Sequence, residues 1–226
     1  MNGWVLLGAA ALLTIERLCY VWVWRYPDAF RELCAKVVAI VEEVFEIVRD
    51  LLLGGLTTGP TTVTSIWGPG ESQGQPSGGL RIRLPIADWP SRPVYALRHL
   101  FYGFKILQIA VFVGWCYVFG NGSVWPPDAG PWAIAIGGAL AAFGQLLNGS
   151  VFYQLGTIGV FYGNKFGYTV SWCRRFPFTI FAHPQYVGTL LSIWGFFLIF
   201  RFPHDDWIVL PAIETVYYIV GAHLEQ

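Results

Sequence analysis

The sequence predicts an all-α integral membrane bundle, with about four to five membrane helices and one amphipathic helix at the interface. Composition is the first of three observations behind this. Of 226 residues, 55% are hydrophobic and only 12% are charged, about half the roughly 25% charge of an ordinary soluble domain. With a mean hydropathy of +0.51, the chain has more apolar surface than a core of its length can hide from water, and lipid accepts the excess. The second observation is a set of apolar runs near the roughly 20 residues that cross a hydrocarbon core. The third is the placement of Lys and Arg, which collect in some connecting segments and avoid another. A formal net charge of zero argues against nucleic acid as a partner, which usually demands a basic face.

Trp4–Trp24 is the first membrane helix, with Trp4, Trp22 and Trp24 suited to its interfaces. It lacks the basic start and the small-residue cleavage site of a signal peptide, so it is expected to be retained. Glu16 and Arg17 interrupt it, and an adjacent acid and base in such a helix must face protein or pair with a neighbour. Over Ala29–Leu53, Phe30, Leu33, Cys34, Val37, Val41, Val44, Phe45 and Val48 recur at three- and four-residue spacing. Arg31, Glu32, Lys36, Glu42, Glu43, Glu46, Arg49 and Asp50 take the opposite side. That is the amphipathic helix, lying on the membrane or against the bundle. The Glu42, Glu43 and Glu46 group fits a solvated face better than a metal site. Cys19, Cys34, Cys116 and Cys173 show no metal or disulfide spacing and fit small buried hydrophobes. No metal is expected.

Residues 1–53 thus form an N-terminal unit. Residues 54–93 follow as a Gly/Pro/Ser/Thr-rich loop whose composition cannot bury a core, with a short alternating stretch at Arg81–Leu84. The membrane core occupies 94–226. Tyr95–Phe119 is its first span, and Asn-Gly-Ser and Trp-Pro-Pro-Asp within 120–130 mark a turn. Pro131–Leu147 begins the next span, with helix continuing towards Gly167. Val187–Phe200 and Trp207–Val220, divided by Arg-Phe-Pro-His-Asp-Asp, form a tight helical hairpin. Arg25, Arg31, Lys36, Arg49, Arg81, Arg83 and Arg92 lie between the first two spans, and Lys165, Arg174 and Arg175 follow the third. The 120–130 turn has no Lys or Arg. The N-terminus is therefore expected to be lumenal, and the long loop and the C-terminus cytosolic.

Unusual residues gather on the cytosolic side of the C-terminal half. Gly156, Gly159, Gly163 and Gly167 fall at spacings of three and four, which on a helix make one bare stripe. Such a stripe serves either close helix packing or a groove where a cofactor approaches the backbone. Asn148, Gln154 and Lys165 add polar handles nearby. Next come Arg174-Arg175-Phe176-Pro177-Phe178 and His183-Pro184-Gln185-Tyr186-Val187-Gly188. Pro184 suits the first position of a helix, with His183 at the boundary. The N–H groups of Gln185, Tyr186 and Val187 then face the helix entrance and favour a carboxylate or phosphate. Gly188, Ser192 and Gly195 form a small face for tight approach.

From about Ala139 onward, the chain resembles the phospholipid N-methyltransferases, which convert phosphatidylethanolamine derivatives to phosphatidylcholine. The matching stretches are Leu-Gly-Thr-Ile-Gly-Val-Phe-Tyr-Gly-Asn-Lys-Phe-Gly at 155–167, Phe-Pro-Phe at 176–178 and Pro-Gln-Tyr-Val-Gly at 184–188. Plant-type members, which act on partly methylated lipid, resemble it most. Trp4–Trp24 with Tyr26-Pro27 is similar to their start, and 54–93 departs from them as an insertion. Relatives continue for some residues past the position of Gln226.

The resemblance implies S-adenosyl-L-methionine as co-substrate, a phospholipid as substrate, and an endoplasmic reticulum membrane with the active site cytosolic. It places a Gly-x-Gly cofactor motif on Ala142-Phe143-Gly144, its first glycine replaced. A Glu-Glu pair falls on Glu225-Gln226, its second glutamate replaced. Gly156, Gly159 and Tyr186 complete the expected cofactor set. Either Glu225 or His183 is the general base that takes the headgroup proton. Lys165, Arg174 or Arg175 holds the lipid phosphate, and Tyr168, Trp172, Tyr186 and Phe178 offer aromatic faces to a methylated ammonium.

Three alternatives belong to other classes. Membrane sterol reductases using NADPH resemble the His/Pro/Tyr/Gly turn, but carry an acidic residue where Thr189 stands. Isoprenylcysteine carboxyl methyltransferases share the co-substrate without the Phe-Pro-Phe context. A non-catalytic scaffold leaves the clustered polar residues unexplained. A soluble Rossmann methyltransferase is excluded, because no strand leads into a Gly-rich turn with an acidic ribose binder.

Overall fold

Proline sets where most of the helices begin. The computed structural model of the chain describes residues 2–53, 93–125, 127–170 and 173–224. Among these lie six α-helices and no strand: α1 (Gly3–Arg25), α2 (Pro27–Leu53), α3 (Pro93–Phe119), α4 (Pro131–Val160), α5 (Pro184–Phe200) and α6 (Val209–Leu224). Four of them start on a proline, whose fixed φ and missing N–H suit the first helical position. Instead, α1 is capped by Asn2, whose Oδ1 accepts the Trp4 N–H at 3.1 Å. It ends at Tyr26, the residue that Pro27 keeps out of the helical region.

Three segments, α1, α3 and Pro131–Phe166, are long and apolar enough to cross a membrane, and α5 and α6 are shorter apolar helices. This is the predicted all-α membrane bundle. Its outer surface is apolar: Leu7, Ile15 and Leu18 on α1, Ile106 and Ile109 on α3, and Val216 and Ile219 on α6 are all exposed. In water such a surface would be a large liability; against lipid tails it is the expected finish. The amphipathic helix predicted at Ala29–Leu53 is α2. Phe30, Cys34 and Val38 are buried against the bundle, while Lys36–Glu32 and Arg31–Asp28 pairs run along the wet side. Burial pushes the Cys34 thiol up to about 11, so it stays a protonated packing group. Glu42, Glu43 and Glu46 are exposed. The 54–93 loop of the sequence analysis falls on 54–92, outside the described residues, and α3 opens at Pro93.

The bundle has two distinct ends. At one, Arg201 donates to the Phe119 carbonyl at 3.1 Å, and His204 Nε2 lies 2.8 Å from Asp128 Oδ2. The turn after α3 thereby meets the turn between α5 and α6. At the other end, Trp24 packs edge-on to Tyr162, Phe30 meets Phe166, and Lys165 Nζ sits 3.8 Å over the Trp24 ring. The end of α1, the start of α2, the end of α4 and the start of α5 therefore share one face of the bundle.

The most extensive helix pair is α4 with α5. Its seam is made by the absence of side chains. A Cβ on Gly137 would strike the Gly195 carbonyl and Ile199, and one on Gly144 would strike the Gly188 carbonyl and Ser192. Gly188 and Gly195 are equally tight against α4. The small face predicted for Gly188, Ser192 and Gly195 is thus a packing seam. The predicted stripe of Gly156, Gly159, Gly163 and Gly167 is a correction. The chain leaves regular helix at Gly156 (φ +61, ψ −177), coils tightly over Gly163–Phe166, and turns at Gly167 (φ +84). Glycine permits those positive φ values, so these four residues shape a turn and share no helix face.

Candidate functional site

A membrane interior makes any charged side chain expensive, about 2.5–3.5 kcal/mol at a helix centre on insertion scales. Yet five polar side chains from α1, α3 and α6 meet inside this bundle. Glu16 Oε1 lies 3.5 Å from Lys105 Nζ, which donates to Gln108 Oε1 at 2.9 Å. Gln108 Nε2 donates to Glu214 Oε1 at 2.8 Å. Arg17 Nη2 sits 3.3 Å from Glu214 Oε2 and 3.8 Å from Glu16 Oε1, which closes the ring. Tyr218 caps it: its hydroxyl accepts from Lys105 at 3.2 Å, and its face lies 3.8 Å under the Arg17 guanidinium. Glu16 is 2% exposed and Glu214 fully buried. Two carboxylates against two cations leave the ring neutral, which is how such a group is tolerated in a membrane protein.

The ring borders a half-open cavity of about 210 Å³. Glu16, Arg17, Tyr20 and Tyr218 line it on the side of the charged ring; Phe101, Phe161 and Tyr162 form aromatic walls; Phe178, His183, Gln185 and Tyr186 form the part beside the start of α5. Tyr162 adopts a left-handed φ of 54 on this wall, a conformation non-glycine residues rarely take. His183 stacks on Tyr186 with ring centroids 5.7 Å apart, and Tyr186 meets Tyr218 edge-on at 5.2 Å. Aromatic contacts therefore connect the α5 entrance to the buried charges.

Of the site residues singled out from sequence, the structure brings Gly159, Phe178, His183, Gln185 and Tyr186 to this cavity. Gly144 is buried in the α4–α5 seam, and Ala142 and Phe143 are exposed on other faces of α4. Gly156 is exposed at the break in α4. Lys165 is held over Trp24, Tyr168 packs near the Phe161 and Phe166 cluster, and Arg174 is exposed. Arg175, also exposed, borders a separate shallow groove with Gln145, Gln154 and Phe176. Glu225, Gln226 and Trp172 lie outside the described residues, but α6 runs antiparallel to α5 and ends on the face where α5 begins. The expected anion site at the α5 entrance needs correction: the N–H groups of Tyr186 and Val187 both donate to the His183 carbonyl at 3.1 Å. Two of its three supposed donors are consumed by the first helical turn.

Tyr20, Lys105, Gln108, Glu214 and Tyr218 were not among the site residues expected from sequence, although Lys105 stands out as a basic residue near the start of the 95–119 span. A signal was present, since Lys105, Gln108 and Glu214 interrupt apolar runs, where a polar group needs a partner or a purpose.

Helices and cavity together define an integral membrane protein with an aromatic-walled, charge-balanced cavity open towards one face of its bundle. Residues 132–226 match the model of the family described as phospholipid methyltransferase. A phosphatidyl-N-methylethanolamine N-methyltransferase of Arabidopsis thaliana is 42% identical over 69 residues, covering 30% of this chain and 38% of the relative's length. No solved structure matches the chain. The stretches at 155–167, 176–178 and 184–188 all lie within the family-matched segment, so the resemblance drawn from them is borne out.

Proposed function

We propose that the protein transfers a methyl group from S-adenosylmethionine to the amine of phosphatidylethanolamine derivatives, acting on the mono- and dimethyl forms to give phosphatidylcholine. One observation carries this: the His183–Tyr186 turn of the family-matched segment borders a cavity walled by aromatic rings and the Glu16 carboxylate. That chemistry suits cations. Sulfonium and methylated ammonium groups both favour aromatic faces, and Tyr20, Phe101, Tyr162 and Tyr218 supply them here.

The donor supplies an activated methyl carbon. As the headgroup nitrogen forms its bond to that carbon, the carbon–sulfur bond breaks and its electron pair stays on sulfur, leaving the thioether. The protein's task is to align the reacting atoms about 3–3.5 Å apart and to take a proton from the incoming ammonium. His183 stands on the cavity wall, and Glu225 follows the end of α6 in sequence; either serves as that base. Arg174 and Arg175, both exposed, are suited to the lipid phosphate. The Lys and Arg distribution supports a lumenal N-terminus and a cytosolic active site, and the resemblance to phospholipid methyltransferases suggests the endoplasmic reticulum membrane.

Purified protein, labelled S-adenosylmethionine and lipids differing only in headgroup methylation test the proposal. Label should enter the mono- and dimethyl lipids in preference to the unmethylated one. Label in none of them, in all three equally, or only in a prenylcysteine peptide would overturn it.

A further inference from the structure

We infer that Arg17 and Tyr20 bind the oxyanion of a zwitterionic group inside the cavity, with Glu16 facing its ammonium; this rests on the methyltransferase function proposed above. Both side chains line the cavity, and each carries a buried polar atom with no hydrogen-bond partner: Arg17 Nε and the Tyr20 hydroxyl. Three residues apart on α1, they share one helix face. Buried polar groups are nearly always paired, so orphan donors on residues that line a cavity call for an acceptor from outside the chain. Elsewhere on the guanidinium, Nη2 is committed to Glu214. The Nε donor remains for a ligand.

The charge balance decides what kind of ligand. In the charged ring beside the cavity, Glu16 and Glu214 offset Arg17 and Lys105. A bare anion or cation would leave one buried charge unmatched, whereas a group carrying one of each would not. Glu16 is adjacent to Arg17 in sequence and also lines the cavity. Two molecules in the proposed reaction have this chemistry: the amino-acid end of the methyl donor, and the phosphate–ammonium headgroup of the lipid. Arg17 and Tyr20 lie outside the family-matched residues 132–226, so the first helix would complete a site begun by the last ones.

Tyr20→Phe is the decisive variant, because it removes a hydroxyl that bonds to nothing in the protein and should melt at the parent temperature. Arg17→Lys, which keeps a cation towards Glu214 but loses Nε, is its companion. Binding of S-adenosylhomocysteine and of 5′-methylthioadenosine, which lacks the amino-acid end, is measured in detergent alongside the KM for dimethylated lipid in mixed micelles. If the donor's amino-acid end occupies the site, Tyr20→Phe weakens S-adenosylhomocysteine about fivefold or more and leaves methylthioadenosine unchanged. If the lipid headgroup occupies it, both nucleosides bind as before and the lipid KM rises by a similar factor. Parent values for S-adenosylhomocysteine and lipid alike, or equal weakening of the two nucleosides, would overturn the inference while leaving the methyltransferase function standing. A parent chain that binds no S-adenosylhomocysteine and transfers no methyl group would remove both.

Discussion

Arg17 of α1 and Glu214 of α6 meet inside the bundle, Nη2 3.3 Å from Oε2, with side chains 16% and 1% exposed. The first and last helices are thereby joined by a charge pair that neither could carry alone in an apolar medium. The pair also fixes α6 in rotation, since Tyr218, one turn on, lies with its ring under the same guanidinium.

Removing one partner strands the other. Arg17→Leu and Glu214→Leu are each expected to cost about 3–5 kcal/mol of stability. The double substitution should cost less than their sum, with a coupling of about 0.5–3 kcal/mol. Unfolding in detergent of the parent, both single variants and the double variant measures this. Strict additivity would mean that the pair does not hold the bundle together.

The α4–α5 seam makes a contrasting prediction within one helix. Gly144→Leu must push the Gly188 carbonyl away, an overpacking cost of about 1–3 kcal/mol or more. Gly149→Ala, on the same helix with nothing within 4 Å of the added Cβ, should be neutral. Any loss of methyl transfer in Gly144→Leu is expected to come with a lowered melting temperature. A variant that melts like the parent yet binds no S-adenosylhomocysteine would show that Gly144 lines the cofactor site after all.

At the opposite end of the bundle, in the turn between α5 and α6, Arg201 donates Nε to Asp206 Oδ2 at 2.8 Å and Nη2 to Oδ1 at 2.6 Å, and Trp115 Nε1 donates to Oδ2 at 2.8 Å. Burial works to raise the Asp206 pKa, but these bonds outweigh it, and the carboxyl is held below its ordinary 3.8. A folded-state pKa below the unfolded one means that the stabilisation is complete above the ordinary value and fades as pH falls through the depressed one. Asp206→Asn should therefore lower the melting temperature near neutral pH. The gap from the parent should persist down to about pH 4 and close only below it. A gap closing between pH 5 and 7 would assign the effect to another group.

The two candidate bases separate by kinetics. Of His183→Gln and Glu225→Gln, one is expected to lower kcat about a hundredfold or more and flatten the acid limb of the pH profile. The other should chiefly raise KM. If neither changes kcat, proton removal belongs to a different group, with Glu16 the next to test.

The sequence by itself determined the helices and their setting. Apolar runs near the bilayer length, prolines at helix starts, and the alternating faces of 27–53 are local properties, because helix hydrogen bonds close within four residues and lipid exposure follows side-chain hydrophobicity. The same holds for the His183–Gly188 turn, whose resemblance rests on neighbouring residues. What only the tertiary structure decided is which distant side chains share a cavity. Glu16 and Arg17 were legible as needing partners, but nothing local names Glu214, 197 positions away from Arg17, or Lys105 and Gln108 on a third helix. It also took the structure to separate the glycines. Gly144 and Gly188 lie in a seam because two helices cross there, while Gly156 and Gly167 turn the backbone. Spacing alone cannot distinguish these uses, since a missing side chain serves close packing and unusual φ equally well. The physical reason is the same throughout: charge pairing and close packing depend on distance in space, and only the folded bundle sets that distance.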